Sequence, residues 1–481
     1  MTRHFSRTLV GLALAAAACN ARSLEAPTLV PSSTEHQTFA TAINRDVDLL
    51  FLIDDSRSMR PLQDNLLRNF PAFMTALKAI PGGLPNVHIA VVSSDMGAGD
   101  GSIDSCDSTG GKNGIFQYAA RGACTSTGLN AGATFISDIA GVRNYTGNLE
   151  DVFSCIAALG EEGCGFEHQL AAVTRALGAD GQAPPLENQQ FLRPDAYLAI
   201  VLITNEDDCS APAGSLLFDV ASNNNLASQL GPAASYRCNE FGHLCDGARP
   251  ARLAPGGDVN ATQAYDNCVS AEDGILMRVA DVANGLRKLK MDPNNQILVA
   301  SISGLRSPYV VHWKAPTGSD TGPWPEISHA CTAADGSYAD PSPRIADFVA
   351  SFGGNGLQLP ICSGEFAPAL KSVADKIGQH LQKPCITQHV AKRPGTTADD
   401  CTVVTHTRND QGNFLDSVVP ACADTGGAGP CWQLVAGQDS CTGQSIDIVP
   451  ETGAPMPTSQ NATVECALCM DGVRDDARGC P

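Results

Sequence analysis

A nearly continuous apolar run from Val47 to Ile53, followed at once by a polar turn, constrains the fold more than any other stretch of the 481-residue chain. Such a run is typical of a strand that is buried on both faces, as in the middle of a parallel sheet. After the turn, apolar residues recur at three- and four-residue steps from Met59 to Leu77, which predicts an amphipathic helix. The stretch therefore predicts a strand, a turn and a helix in an open α/β sheet.

The turn carries Asp54, Ser56 and Ser58 in an Asp-x-Ser-x-Ser pattern. Open α/β sheets bind their ligands at the carboxyl edge of the strands, where this turn is expected to lie. Carboxylate and hydroxyl oxygens bind hard divalent cations such as Mg²⁺, which also keep waters or take an oxygen from a partner. The three side chains are therefore candidate metal ligands, and the alternative is that they only cap the following helix.

Buried strands and helical patterns alternate along residues 41–384, which predicts a doubly wound, mostly parallel sheet flanked by helices. A polar insertion, 205–268, interrupts this domain, and a small Cys-rich β module is expected over 385–481. The further predicted strands are Val87–Ser93, Tyr197–Thr204 and Gln296–Ser303, and the further predicted helices are Leu149–Leu159, Phe166–Leu177, Ile275–Leu289, a patch around Ile345–Phe352, and Phe366–Leu381.

The composition limits the classes of function. The formal charge is −20 and is distributed rather than concentrated in runs, which argues against a nucleic-acid partner because phosphates require a basic face. Hydrophobic residues make up 43% of the chain and charged residues 17%, so a sizeable folded core is expected.

The first nineteen residues are interpreted as a bacterial lipoprotein signal peptide. A basic start precedes an apolar run, Leu9 to Ala18, that is too short to span a bilayer. Ala16-Ala17-Ala18-Cys19 resembles a lipobox, which makes Cys19 the lipid-attachment residue, and Asn20 after it favours the outer membrane. Residues 20–40, rich in Ser, Thr and Pro, are interpreted as a tether. The alternative is ordinary signal cleavage and release of a secreted protein.

The cysteine content predicts an oxidising compartment. Setting Cys19 aside from the 19 cysteines leaves an even number, which can pair completely. Local disulfides are expected between Cys106 and Cys124 and between Cys155 and Cys164. The cysteines of the insertion allow two internal disulfides in three pairings, and those of the Cys466-x-x-Cys469 pattern are interpreted as structural.

Taken together, these stretches resemble a von Willebrand factor type A domain with its metal-ion-dependent adhesion site. The resemblance rests on LFLIDDSRSM, VHIAVVSSD, LAIVLITNEDDCS, ILVASISG and the closing helix, and covers about residues 41–384. It implies a Rossmann-like fold and a divalent ion held by the Asp-x-Ser-x-Ser turn, a Thr from a second loop and an Asp from a third. It also implies that a carboxylate from a partner protein completes the coordination.

The sequence departs from this family pattern in the second and third loops. Glu167 stands at the position of the Thr, and Asn205 stands at the position of the Asp. The amide oxygen of Asn205 can still bind a hard cation, and the longer arm of Glu167 suits Ca²⁺. Asp207 is an alternative ligand from the third loop. The other interpretation of Glu167 is an interaction with the helix dipole.

The resemblance and the residues favour a non-enzymatic role. None of the hydrolase, zinc-protease or phosphate-loop patterns is found in the sequence. The expected function is divalent-metal-dependent protein binding or adhesion at the bacterial cell envelope, with Mg²⁺, Ca²⁺ or Mn²⁺ and an unidentified protein ligand. The lipid anchor is expected to be the sole membrane attachment. The alternatives are an envelope scaffold with a degenerate metal site, and a metal-assisted hydrolase.

Overall fold

The computed structural model describes fourteen stretches of the chain, and all structural statements below refer to them. Cys19, the predicted signal peptide and most of the predicted tether lie outside them. The described residues are 33–42, 45–80, 83–99, 103, 106, 110–121, 124–212, 214–219, 225–315, 322–381, 385–408, 414–436, 441–449 and 460–481.

The described strands include the four that the sequence predicted, with bounds that agree to within one residue. The strands are β1 (Thr34–Ala42), β2 (Asp46–Ile53), β3 (Asn86–Ser93), β4 (Ile136–Ile139), β5 (Val142–Arg143), β6 (Tyr197–Ile203), β7 (His243–Cys245), β8 (Thr262–Tyr265), β9 (Cys268–Ser270), β10 (Ile297–Ser303), β11 (Tyr309–Lys314), β12 (Trp324–Ile327), β13 (Cys331–Thr332), β14 (Tyr338–Ala339), β15 (Gly356–Pro360), β16 (Cys401–Arg408), β17 (Phe414–Val419), β18 (Cys431–Ala436), β19 (Gln444–Val449) and β20 (Gln460–Cys469).

The described helices include the six that the sequence predicted, although two of these begin later than expected, at Gln169 and at Val279. The helices are α1 (Arg60–Lys78), α2 (Leu149–Ala157), α3 (Gln169–Leu177), α4 (Tyr236–Gly242), α5 (Val279–Arg287), α6 (Pro293–Gln296), α7 (Pro343–Ala350), α8 (Ala367–Leu381) and α9 (Cys422–Thr425). None of the helices in the described part of the chain combines the length and the apolar character needed to cross a membrane.

The central element is a seven-stranded mixed sheet in the order β15-β10-β6-β2-β3-β4-β5. The pairs from β15 to β3 are parallel, and β4 and β5 add two antiparallel strands at one edge. Strand β2 lies in the middle, where its register pairs Ile53 with Ser93 on one side and with Ile203 on the other. The residues that follow these three therefore emerge side by side at one edge of the sheet.

Strand β2 is buried along its whole length because helices cover both faces of the sheet. Phe51 and its odd-numbered neighbours face α1, α2 and α8, while Leu50 and Leu52 face α3, α5 and α7. On the first face Phe51 packs edge-on against Phe70 of α1, which in turn stacks on Phe153 of α2. These aromatic contacts fix α1, and hence the turn that precedes it, against the sheet.

The chain divides into two compact units. The larger comprises 38–387 and 401–465 and contains the seven-stranded sheet, the hairpin of β16 with β17 and the hairpin of β18 with β19. Among the described residues, the smaller comprises 33–37, 388–400 and 466–481. Within it the amide of Ala391 donates to Ala467, that of Lys392 donates to Arg478, and a disulfide joins Cys469 to Cys480.

One part of the predicted tether has a regular structure. Strand β1 covers Thr34 to Ala42, so the segment from residue 34 to residue 40 is extended. Its sequence, TEHQTFATA, is rich in Thr, which has a high β propensity, so composition alone did not distinguish it from a linker. The predicted domain boundary between residues 384 and 385 stays a prediction.

Every cysteine from Cys106 to Cys480 is disulfide-bonded, as the even number predicted. The two predicted local disulfides are wrong, because Cys106 pairs with Cys164 and Cys124 pairs with Cys155. Proximity in the fold, rather than in sequence, decides the pairing. The insertion does hold two internal disulfides, and Cys466 and Cys469 do not pair with each other. The further pairs are Cys209–Cys238, Cys245–Cys268, Cys331–Cys362, Cys385–Cys441 and Cys422–Cys431.

Candidate functional site

The carboxyl edge of the central sheet carries the polar turn that the sequence singled out. The backbone amide of Asp54 donates to the carbonyl of Ile203, 2.9 Å away, which continues the β2–β6 pairing into the turn. The amide of Ser56 then donates to Asp54 Oδ1 at 2.8 Å, so the chain bends sharply around the carboxylate. The Asp54 side chain is completely buried. The strand register and this bend together position the turn.

Both carboxylate oxygens of Asp54 face hydroxyls of residues that directly follow the two neighbouring strands. Thr204 Oγ1 donates to Asp54 Oδ2 at 2.7 Å, and Ser94 Oγ lies 3.4 Å from Oδ1. Thr204 and Ser94 directly follow β6 and β3, so the three side chains meet because the strands end in register. Neither residue was among the predicted ligands.

The two serines of the turn connect Asp54 to the third predicted loop. The hydroxyls of Ser56 and Ser58 are 3.3 Å apart, and Ser58 Oγ donates to Asn205 Oδ1 at 3.1 Å. Asn205 is fully buried, and its amide nitrogen donates to the carbonyl of Tyr338 at 3.1 Å. The structure therefore brings together four of the predicted ligands: Asp54, Ser56, Ser58 and Asn205.

The serines do not cap the helix that follows them. A short 3-10 turn, Arg57–Met59, precedes α1, and neither Ser56 at its start nor Met59 at the start of α1 makes a side-chain capping hydrogen bond. The capping interpretation predicted such bonds. The hydroxyls instead face each other and Asn205, an arrangement that presents oxygen atoms rather than satisfying backbone amides.

Glu167 is buried beside this cluster, with 2% of its surface exposed. No N–H or hydroxyl of the described residues donates to its Oε1 atom. The side chain shares a hydrogen bond with the Glu206 carboxyl, which requires a proton on one of the two groups. A buried carboxylate oxygen without a donor carries a desolvation cost that a bound cation would offset.

The cluster contains acids that repel one another: Asp54, Glu167, Glu206 and Asp340. Burial raises the pKa of Asp54 to about 6, although hydrogen bonds from Ser56 and Thr204 oppose the rise. Burial, with the charges of Asp340 and Asp54, raises the pKa of Glu206 to about 8. Burial, and then Glu206 and Asp54, raise the pKa of Glu167 well above its usual range. Burial and mutual repulsion therefore make each of these acids hold its proton more tightly than it would in water.

The other interpretation of Glu167, an interaction with the dipole of α3, stays a prediction, but its side chain does not cap the first amides of that helix. The first free amides of that helix are capped by other side chains, because Leu170 N donates to Asp208 Oδ1 and Ala171 N donates to Ser210 Oγ. No acidic residue lies in the first turn of α3. The environment of Glu167 is thus the acidic cluster at the sheet edge.

Asp207 is not brought into the cluster through its carboxylate. Both of its oxygens accept backbone amides at the start of α7, from Arg344 at 2.9 Å and Ile345 at 3.0 Å. His243 Nε2 lies 2.7 Å from Asp207 Oδ2. Its neighbour Asp208 accepts the Arg344 guanidinium at 2.9 Å, with both side chains fully buried. Asp207 therefore caps a helix here, and this use corrects the idea that it swings in as a ligand.

The other aspartate of the turn is also neutralised internally. Asp55 forms an ion pair with Lys112 and accepts the Ser93 hydroxyl at 2.7 Å. Because Lys112 balances its charge, Asp55 is not counted among the acids of the cluster.

The residues present fit a divalent cation through a mixed set of oxygens. Within the described stretches, no group of three or more His, Cys, Asp or Glu side chains is arranged to hold a metal. The set at the sheet edge differs because hydroxyls and an amide oxygen accompany the carboxylates. Hard cations accept such mixed oxygen ligands. The orphaned Oε1 of Glu167 is the observation that supports a bound cation.

Comparisons with known proteins give only distant likenesses. No protein-family profile matches the sequence, and a search of curated proteins finds no match. A von Willebrand factor type A structure from Catenulispora acidiphila is 10% identical, with a TM-score of 0.27, and the match covers 92% of this chain and 66% of that one. The adhesive tip pilin of Group B Streptococcus agalactiae has the same identity and TM-score, with 92% and 82% covered.

A third solved structure contains three N-terminal domains of a type V pilus tip protein from Porphyromonas gingivalis. It is 11% identical with a TM-score of 0.22, and the match covers 91% of this chain and 68% of that one. TM-scores this low do not establish a shared fold.

Proposed function

We propose that the carboxyl edge of the central sheet binds a divalent cation and uses it to bind a partner protein. Asp54, Ser56, Ser58, Glu167 and Asn205 would hold the cation, which would be Mg²⁺, Ca²⁺ or Mn²⁺. The observation that carries the proposal is the buried Oε1 of Glu167, which has no donor among the described residues and lies in an acidic cluster. A bound cation would offset this cost.

The proposed partner contact lies where the cluster is open. Ser58 and Glu206 are half-buried, whereas Asp54 and Asn205 are fully buried. A cation held by the buried oxygens would therefore be reached from the side of Ser58, and an oxygen from the partner would complete its coordination. The earlier resemblance to von Willebrand factor type A domains supports this mode of binding and the assignment of the sheet to that fold.

The proposed setting is the bacterial cell envelope. Complete pairing of the cysteines from Cys106 to Cys480 requires an oxidising compartment, which supports export. Lipid attachment at Cys19 to the outer membrane is part of the proposal, with secretion as the alternative. Mass spectrometry of the mature N-terminus distinguishes a diacyl- or triacyl-modified Cys19 from a free new N-terminus.

The direct test is calorimetric titration of Mg²⁺, Ca²⁺ and Mn²⁺ into oxidised, metal-free protein spanning residues 20–481. We expect one-site binding that Asp54→Ala reduces by at least about a hundredfold, because it removes a charged ligand. Asp64→Asn, an exposed acid on α1, is the matched control and should bind as the unmodified chain does. Binding that survives Asp54→Ala would contradict the proposed site.

An envelope scaffold without metal remains the second candidate. The use of Asp207 as a helix cap favours it, because one of the predicted ligands is thereby committed elsewhere. No heat of binding for any of the three ions would favour this candidate over metal-dependent adhesion.

A further inference from the structure

The insertion carries an exposed turn that the candidate cation site does not use. The turn runs from Asp258 to Ala261, where the Ala261 amide donates to the Asp258 carbonyl at 3.2 Å, and it directly precedes strand β8. The Asn260 amide donates to Asp258 Oδ1 at 2.9 Å, which fixes the backbone on both sides of Val259. Residues 255–260 are all exposed, so the turn presents its side chains to solvent.

Asn260 and Thr262 form an Asn-x-Thr pattern, which is the acceptor pattern for transfer of an oligosaccharide to an asparagine. Both residues are exposed. Within the described stretches, Asn260 takes part in hydrogen bonding through its backbone amide and not through its carboxamide. The Nδ2 atom, which would bond to a sugar, is therefore accessible and is not needed to hold the fold together.

The chain has two other Asn-x-Thr patterns, and the structure sets both apart from Asn260. Asn144 Nδ2 donates to the carbonyl of Phe135 and its Oδ1 accepts the amide of Ser137, both at 2.8 Å, so this carboxamide is part of the fold. Asn461 and Thr463 belong to strand β20, and the Thr463 hydroxyl hydrogen-bonds to a histidine of β16. The acceptor pattern alone does not separate the three sites, whereas their surroundings do.

We propose that Asn260 is glycosylated, with an oligosaccharide bonded to its Nδ2 atom. The donor is an oligosaccharide carried on a lipid diphosphate, and a transferase of the exporting cell catalyses the step. C1 of the first sugar forms a bond to Nδ2 while its bond to the diphosphate oxygen breaks, and the electron pair of the broken bond leaves with the lipid diphosphate. The amide loses one proton to a base of the transferase, so no oxidant or reductant is consumed.

The inference rests on the export that complete cysteine pairing supports, and not on the cation site. Asparagine-linked oligosaccharides are attached to surface loops of exported proteins, which is the setting of this turn.

A glycan at this position would also cover apolar surface that the fold leaves exposed. Leu253 and Val259, on either side of the short Pro255–Gly257 turn, are 66% and 41% exposed. A glycan is bulky and makes a protein surface more soluble, so it would screen these two side chains from other molecules.

The experiment is mass spectrometry of the mature protein isolated from the bacterium that produces it. Trypsin releases residues 253–278 as one peptide after reduction, because Arg252 and Arg278 are consecutive cleavage sites. Three variants are compared in the same cells: Asn260→Gln removes the acceptor, Thr262→Ala removes the hydroxyl of the pattern, and Thr262→Ser keeps that hydroxyl. All three change exposed side chains, and an unchanged melting temperature establishes that each variant folds.

We expect the 253–278 peptide of the unmodified chain to be heavier by a whole number of sugar residues. Hydrolysis of the sugar–Nδ2 linkage should leave an aspartate in place of Asn260. Thr262→Ser should keep the added mass, Asn260→Gln and Thr262→Ala should lose it, and the peptide that contains Asn144 should have its unmodified mass.

A 253–278 peptide without added mass in the unmodified chain would overturn the inference. Sugar retained in Asn260→Gln would also overturn it, because the sugar would then be attached to a hydroxyl instead of Nδ2. Because Asn260 is not part of the cation site, either result leaves the proposed function standing.

Discussion

At the scale of single residues, the candidate site is marked by a buried carboxyl oxygen that lacks a hydrogen-bond donor among the described residues, Oε1 of Glu167. Most buried polar atoms in proteins have hydrogen-bond partners, so an exception in a cluster of acids points to a ligand. Glu167 is such an exception, and Asp54 and Glu206 lie close enough to raise its pKa. Hydroxyls, rather than basic side chains, surround Asp54. This combination favours a cation over a purely structural role for the turn.

The raised pKa values predict how stability changes with pH in the metal-free protein. In the unfolded chain these acids ionise near pH 4, whereas in the fold the pKa is about 6 for Asp54 and about 8 for Glu206. The folded state therefore binds more protons than the unfolded state in this range, so these groups lower stability as the pH rises from about 4 to about 8.

Melting temperatures across this pH range measure the effect. The variant Glu206→Gln lacks the group that ionises at the higher pH values, because glutamine does not titrate. The stability of this variant should therefore fall less between pH 6 and pH 8 than that of the unmodified chain. Adding Ca²⁺ should flatten the profile of the unmodified chain. Identical profiles for the two proteins without metal would contradict the raised pKa of Glu206.

At the scale of elements, the loop after β6 has two structural roles: part of it contacts the polar turn, and part of it fixes the start of α7. The sequence pattern did not separate these two roles. Thr204 and Asn205 face the polar turn, whereas Asp207 and Asp208 fix the start of α7 through Arg344 and Ile345. The sequence IleThrAsnGluAspAsp offers several acids in a row, and pattern alone does not say which of them turns towards which neighbour. The division follows from α7 beginning at Pro343, far along the chain.

This division yields a test with two readouts. Asp207→Ala removes the acceptor of two amides of α7 and the partner of His243, so we expect a loss of about 1–3 kcal/mol in the free energy of unfolding. The affinity for the cation should be unchanged, since Asp207 is used as a cap. Urea unfolding and calorimetry of the same sample check both values. A lost cation affinity at unaltered stability would assign Asp207 to the metal site instead.

The elements that the sequence predicted well are those with the strongest patterns. Strands β2, β3, β6 and β10 are continuous apolar runs because they are buried on both faces. Strand β15 was missed because it lies at the sheet edge and is only partly buried, so its residues show no such run. Asp54, Ser56, Ser58 and Asn205 follow two of these strands, which is why the sequence could place them at one edge of the sheet.

At the scale of the whole molecule, the sequence predicted that the cysteines pair completely but did not predict which cysteines pair with each other. An even number predicted complete pairing, and the pairing is complete from Cys106 to Cys480. The partners depend on which loops the fold brings within about 4.4–6.8 Å between Cα atoms, and sequence spacing carries little of that information. The Cys106–Cys164 disulfide, for example, joins segments separated by 58 residues.

The strand register described above also determines when the candidate site can exist during folding. Asp54 and Asn205 meet only after β2 has paired with β6, and Glu167 belongs to the intervening chain. Closing so long a loop costs chain entropy, and this cost arises before the contacts of the site can contribute any stability. A cation would therefore join a sheet that has already formed, rather than nucleate it.

This order has a kinetic consequence. If the site forms after the transition state, saturating Ca²⁺ should leave the refolding rate nearly unchanged, with the disulfides kept intact, and should slow unfolding in proportion to the binding. Stopped-flow mixing with denaturant, with and without the ion, measures both rates. Faster refolding with Ca²⁺ would show that the site forms early. In the expected case the cation binds after the chain has folded and prolongs the lifetime of the folded state by slowing its unfolding.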